Sequence, residues 1–149
     1  MPKVAPARSQ PAFGVEKTAP TCESSNAGQK FSAERSVILP YPEFIAAFPS
    51  IDVPFPEDVV QTAVVKSDSG LVAFFTFLKD LTLPAHSHGA QWGTVVEGEI
   101  EFTIGGETKT YRAGDSYAIP AGVEHGALIK AGTRVIDVFE EPDRYPLKG

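Results

Sequence analysis

From residue 59 onward the chain is a series of short runs rich in Val, Ile, Phe and Tyr, cut by glycine, proline or small polar residues, with no amphipathic helix between them. The runs span 59–66, 71–78, 81–88, 92–97, 99–104, 108–112, 116–119, 124–129 and 134–140, and a turn at 67–70 joins the first two into a hairpin. Parallel neighbours need crossovers of roughly a dozen residues, so runs spaced this closely favour antiparallel pairing. Within 99–104, Ile100, Phe102 and Ile104 alternate with Glu99, Glu101 and Thr103, which turns one face inward and the other to water. The expectation is an all-β sandwich or barrel.

A chain of 149 residues suffices for one domain with a real core. Residues 1–30 read as an extension, flexible or packed on the surface. Residues 31–58 form a lead-in with a short helix that Pro42 opens, running through Phe48 against the outside of the body until Pro49 stops it. Residues 59–149 make the barrel and its tail.

The net charge of -6, with lysines and arginines scattered singly, argues against nucleic acid as a partner. Nothing in 1–30 is apolar enough for a signal peptide or a membrane span, so no membrane partner is expected. The single cysteine, Cys22, cannot form an internal disulfide, and the expected location is cytoplasmic.

All three histidines of the chain lie in this patterned region, at His86, His88 and His125. In a strand, side chains two apart share a face, with Cα atoms about 7 Å apart, so the His-Ser-His run pairs two imidazoles. A third from a distant strand closes a metal site suited to Zn, Fe, Ni or Cu, and to Mn with oxygen ligands beside it.

The run His86-Ser87-His88, then Gln91 and Gly98, resembles the first motif of the cupins, and the stretch from Gly114 through Pro120 and Gly122 to His125 resembles the second. Over residues 59–140 the chain resembles a small single-domain cupin of the RmlC-like type. That resemblance implies a double-stranded β-helix, or jelly-roll barrel, holding one divalent metal ion (Zn, Ni, Fe, Mn or Cu) through His86, His88 and His125, with Gln91 as fourth ligand.

Two positions depart from the family pattern. Gln91 stands where a Glu is usual, and the loop before it is shorter. Four neutral ligands leave more of the ion's charge uncompensated, which favours an anionic substrate or hydroxide. The other reading has Gln91 only lining the pocket while water completes the shell. Ile129 stands where Asn is usual and, with Ala127, makes the wall beside His125 apolar.

Asp137 lies in the middle of an apolar run, where a carboxylate needs compensation, and shares a face with Val135 and Phe139. If that face points inward, Asp137 is a candidate general acid or base and Arg144 a clamp for a substrate carboxylate. If not, Asp137 pairs with a backbone group or with Arg144 to tie down the tail. This ending resembles the small cupins that open the ring of 4,5-unsaturated monouronates, and the likeness falls on His86, His88, Gln91, His125, Asp137, Phe139 and Arg144.

Trp92, Phe75, Phe77, Phe102 and Tyr117 read mostly as core, with Tyr117 also a candidate base and, with Phe139 and Ile129, a candidate pocket wall. Glu97, Glu99 and Glu101 read as a solvated strand face.

The function expected is an enzyme acting on a small oxygenated or carboxylated compound by Lewis-acid catalysis, as an isomerase or lyase. A metal-dependent dioxygenase and a small-ligand-binding or sensor cupin are the alternatives. Exposed sheet edges and the family likeness add the expectation of a homodimer.

Overall fold

The computed structural model describes residues 41–149, so the expected extension at 1–30 and the start of the lead-in lie outside the described residues. These residues form α1 (Glu43–Ala46) and nine strands: β1 (Val60–Ser67), β2 (Gly70–Phe77), β3 (Leu81–His86), β4 (Gln91–Glu97), β5 (Glu99–Ile104), β6 (Glu107–Arg112), β7 (Ser116–Ile119), β8 (His125–Ile129) and β9 (Arg134–Phe139). One sheet runs β1-β2-β9-β4-β7 and the other β3-β8-β5-β6. Every pairing is antiparallel, so the expected all-β jelly-roll barrel is the fold observed.

The inner faces of the two sheets supply the core. Phe75, Phe77, Val95, Ile100, Phe102, Tyr111, Tyr117, Ile119, Ile129, Val135 and Phe139 are all buried. Phe102, Tyr111 and Tyr117 form an aromatic triad with centroids 4.6–6.1 Å apart. Trp92 does not join it. Gln91, Gly93 and Val95 take the inner positions of β4, so alternation turns Trp92 outward, where it is 47% exposed.

The helix is shorter than expected. It ends at Ala46, and Phe48, just beyond, reaches back to pack 6.2 Å from Phe74 on the outer face of β2. The chain then runs alongside β1: the Val64 N–H donates to the Pro49 carbonyl at 2.8 Å, and the Ile51 N–H to Thr62 Oγ1 at 3.1 Å. Ile51 is fully buried and bridges Leu147 of the tail, while Lys148 pairs with Glu57 at 2.6 Å. Lead-in and tail thus form a seam along the edge strand β1, covering an edge that would otherwise be unpaired.

The glutamate row is less uniform than the alternation suggests. Glu97 pairs with the buried Arg134 at 2.6 Å, and Glu99 binds both Arg112 and Lys130. Among the described residues no helix is long and apolar enough to cross a membrane.

Candidate metal centre

His86 ends β3, His88 lies in the loop beyond it, and His125 opens β8. The two imidazoles of the His-Ser-His run are therefore not presented by alternation along one strand. Leu83 stands opposite Ala127 and His86 opposite His125, so three steps on β3 match two on β8, and the extra residue is a bulge. Leu81 and Leu83 face inward, and simple alternation would turn Ala85 in next. The bulge turns in His86 instead. A Cβ at position 126 would sit 2.9 Å from the Leu83 carbonyl oxygen and 3.2 Å from the Ala85 nitrogen, so Gly126 is what leaves room for the bulge.

The three ring centroids lie 4.3–5.3 Å apart, and one nitrogen from each ring falls within 4.8 Å of the others. Each Nδ1 contacts a carbonyl oxygen: His86 to Pro84 at 2.8 Å, His88 to Gly89 at 2.8 Å, His125 to Val123 at 2.9 Å. A carbonyl only accepts, so each Nδ1 carries the proton and each neutral ring keeps its lone pair on Nε2. The Nε2 atoms of His88 and His125 face each other at 3.1 Å. Two lone pairs at that distance repel unless a cation lies between them, and nitrogens bound at about 2.0–2.1 Å to one ion stand roughly 3 Å apart. Burial holds the His88 and His125 imidazoles below the usual histidine pKa, with Arg144 and the neighbouring histidines adding to the effect and a backbone carbonyl opposing it in each case. Neutral rings with preset tautomers are what a metal needs.

Gln91 opens β4 and is buried against the same cavity. The short loop before it is held from both sides. The Gly122 N–H donates to the His88 carbonyl at 2.8 Å, and Ala90 exchanges bonds with Glu140 through its N–H and carbonyl, both at 2.9 Å.

Asp137 points inward from β9 and is 6% exposed. Its partner is neither a backbone group nor Arg144: the Tyr117 hydroxyl donates to Oδ1 at 2.7 Å. Burial pushes the Asp137 carboxyl up to about 6, while Tyr117 and the Gln91 amide stabilise its charged form. The Tyr117 hydroxyl is itself driven well above its ordinary value, by burial first and then by Asp137, so it acts as a donor to the carboxylate and not as a base.

Arg144 lies over the Tyr145 ring at 4.4 Å, and its Nε is buried without a hydrogen-bond partner. Tyr145 packs 5.8 Å from Phe139, whose ring in turn lies 5.7 Å from His88. The partly open cavity is about 60 Å³, room for a few waters at roughly 10–15 Å³ each, and its wall is apolar apart from the histidines, Gln91, Asp137 and the tyrosine hydroxyls. Ile129, Phe139 and Tyr117 all line it, as do Val53, Phe55 and Tyr145 from the seam. Those last three, with Gly93 and Gly126, were not read from the sequence. A glycine inside an apolar strand was the only signal available for the two glycines.

An antiparallel jelly roll with three imidazoles gathered on its cavity is a barrel whose residues could hold a metal ion. Residues 74–139 match the family model for the cupin domain, and this stretch is a cupin domain. An RmlC-like cupin from Shewanella frigidimarina NCIMB 400 is 28% identical, over 66% of this chain and 86% of that one, with a TM-score of 0.56. KdgF from Halomonas sp. is 22% identical over 62% and 88%, with a TM-score of 0.53. A single-residue variant of the oxalate decarboxylase of Bacillus subtilis is 16% identical over 66% and 29%, with a TM-score of 0.55. The likeness to these last two is one of fold alone. No curated protein matches the chain.

Proposed function

We propose that this chain is a metal-dependent enzyme of the isomerase or lyase type, acting on a small oxygenated and carboxylated compound. The observation that carries the reading is the set of three Nδ1–carbonyl contacts, which leaves Nε2 as the free nitrogen of each ring, in a cluster whose ligand atoms lie within 4.8 Å of one another on the cavity that Asp137 also lines. One divalent ion, of the Zn, Ni, Fe, Mn and Cu group, is held by His86, His88 and His125 with Gln91 as fourth ligand. When bound it supplies Lewis-acid polarisation of a substrate oxygen.

The protein's own groups do the rest. Asp137, with its carboxyl raised to about 6, is mainly a carboxylate near neutral pH yet basic enough to hold a proton for a time, so it can take a proton from one substrate atom and return it to another. Such a transfer leaves the composition of the substrate unchanged. Arg144 does not line the cavity itself but stacks on Tyr145, which does, and its charge reaches His88 and His125, so its guanidinium is the group assigned to a substrate carboxylate. Phe139, Ile129 and Tyr145 keep water from the reacting atoms. The likeness of the tail to ring-opening cupins makes 4,5-unsaturated monouronates the first substrates to try.

Protein purified without chelators is assayed on such uronates with each metal in turn, in air and without oxygen. Turnover that survives anaerobically and falls at least about 100-fold in Asp137→Ala supports the reading. Silence with every metal removes the uronate assignment. Activity that needs oxygen replaces isomerisation by oxygenation, and tight binding without turnover favours a sensor.

The homodimer belongs to the same reading and is supported by an uncharged row across the outer face of the five-stranded sheet. Val65, Val72, Val138, Trp92 and Ala118 stand side by side in register, with Val65, Trp92 and Val138 exposed. Trp92→Glu is expected to yield monomers in sedimentation. A wild-type protein that already sediments as a monomer would remove the dimer.

A further inference from the structure

This inference rests on the reading of Gln91 as the fourth ligand and concerns which way round its amide faces. A glutamine side chain ends in one acceptor and one double donor, and only its oxygen has lone pairs to offer a cation. With its nitrogen toward the imidazoles it would present protons to a positive charge. Something in the fold must therefore choose the orientation.

Asp137 is placed to make that choice. In the pairing of β4 with β9, Gln91 stands opposite Phe139 and Gly93 opposite Asp137, so Gln91 and Asp137 are diagonal neighbours on the inner face. The carboxylate is seated rather than free. Tyr117 donates to its Oδ1 at 2.7 Å, and both groups occupy space that exists because residue 93 has no side chain. A Cβ there would lie 2.1 Å from Asp137 Oδ1 and 2.5 Å from the Tyr117 ring. A carboxylate accepts and does not donate, so the end of the Gln91 amide it attracts is the nitrogen.

We propose that Asp137, seated by Tyr117 in the recess over Gly93, is a positioning residue that holds the Gln91 amide nitrogen toward itself and so turns Oε1 toward His86, His88 and His125. This role exists in the resting protein and is separate from proton transfer to a substrate. Experiments on the metal alone therefore isolate it.

The probe is Co(II) without substrate, read by its visible ligand-field absorption and by competition with a chelator. If Gln91 ligates, Gln91→Ala weakens Co(II) binding and shifts the spectrum. Tyr117→Phe and Asp137→Ala are then expected to shift the spectrum in the same direction and to weaken binding roughly 10-fold, the usual scale for a group that orients a ligand. Asp137→Ala combined with Gln91→Ala should bind no more weakly than Gln91→Ala alone, because the carboxylate then has no amide to orient. Asp137→Asn, which keeps an acceptor oxygen, should restore part of the affinity that Asp137→Ala loses.

Wild-type spectrum and affinity in both Asp137→Ala and Tyr117→Phe, beside a changed Gln91→Ala, would overturn the positioning role and leave Gln91 as a ligand. An unchanged Gln91→Ala would remove Gln91 from the shell and the proposal with it. Should Asp137→Ala fail to fold, Tyr117→Phe, which loses one hydroxyl from an otherwise kept ring, decides the matter.

Discussion

The polar groups on the two walls of the cavity are anchored by different means. On the side of β3, the following loop and β8, each imidazole is tied by Nδ1 to a main-chain carbonyl within two residues of itself. On the side of β4, β7 and β9, Asp137 is held by another side chain, Tyr117, over the space left by Gly93. Main-chain anchors persist whatever side chains surround them, whereas side-chain anchors fail when one neighbour changes. The histidine wall therefore determines whether an ion is held, and the opposite wall determines how the groups around it are aimed. Substitutions on the two walls should separate these effects.

The largest effect is expected from the histidine wall. Removing one imidazole, as in His125→Ala, takes away about a quarter of a site whose total binding energy runs to roughly 10–16 kcal/mol in structural zinc sites. The expected loss is about 3–4 kcal/mol, some hundred- to thousandfold in affinity by chelator competition. Retention of metal within about 10-fold of wild type would mean that the three rings do not share an ion.

On the carboxylate wall the effect falls on stability in the metal-free protein. The Asp137 carboxyl is raised from 3.8 to about 6 in the folded chain, so between those values the folded state binds the extra proton. Its contribution is therefore fully present below about pH 4 and is lost as pH rises through 6. The loss amounts to something on the order of 3 kcal/mol. Denaturant titrations of apo protein across this range should show the fall, and Asp137→Asn should flatten it. A nearby divalent ion favours the carboxylate, so added metal should reduce the slope as well. An apo protein whose stability rises from pH 4 to 7 at this site would contradict the burial argument.

Gly93→Ala comes next. A Cβ placed 2.1 Å from Asp137 Oδ1 and 2.5 Å from the Tyr117 ring forces both away. Overpacking of this kind costs about 2–3 kcal/mol, or roughly 8–10 °C in Tm for a domain of this size. The hydrogen bond between Tyr117 and Asp137 should be lost with it. A melting temperature within 2 °C or so of wild type would show that the recess is not filled as described.

How far the sequence spoke for itself follows the same division. Strand positions were legible to within a residue or two because glycine, proline and turn residues punctuate them, and β5 and β7 have the very ends expected. The three histidines were legible as a group because the chain has no others. Their mode of presentation was not, because a bulge is a mismatch in step between two strands and neither run shows it alone. Trp92 is the exception among the aromatics that read mostly as core, for a related reason. Its inward or outward phase is set by Gln91 and Gly93, and a glycine gives periodicity nothing to read. Tyr145 and Phe55 escaped because seam and tail follow no period, and both are only partly buried where they meet the cavity.

The bulge itself offers the finest test of the contrast between the walls. At position 126 an added Cβ meets main chain at 2.9–3.4 Å, a shortfall of only a few tenths of an ångström, but against atoms that cannot rotate away. Gly126→Ala is therefore expected to cost about 1–2 kcal/mol, less than Gly93→Ala. The damage should fall on His86, because easing the strain means shifting the extra residue that turns His86 inward. Metal affinity should drop about 10-fold while the Asp137-dependent pH slope of the apo protein stays as in wild type. Gly93→Ala should alter that slope and weaken metal binding only through the aim of Gln91, while the main-chain anchors of the imidazoles persist. If Gly126→Ala instead changes the pH slope and spares the metal, the walls are coupled through the barrel and the division between holding the ion and aiming its neighbours does not stand.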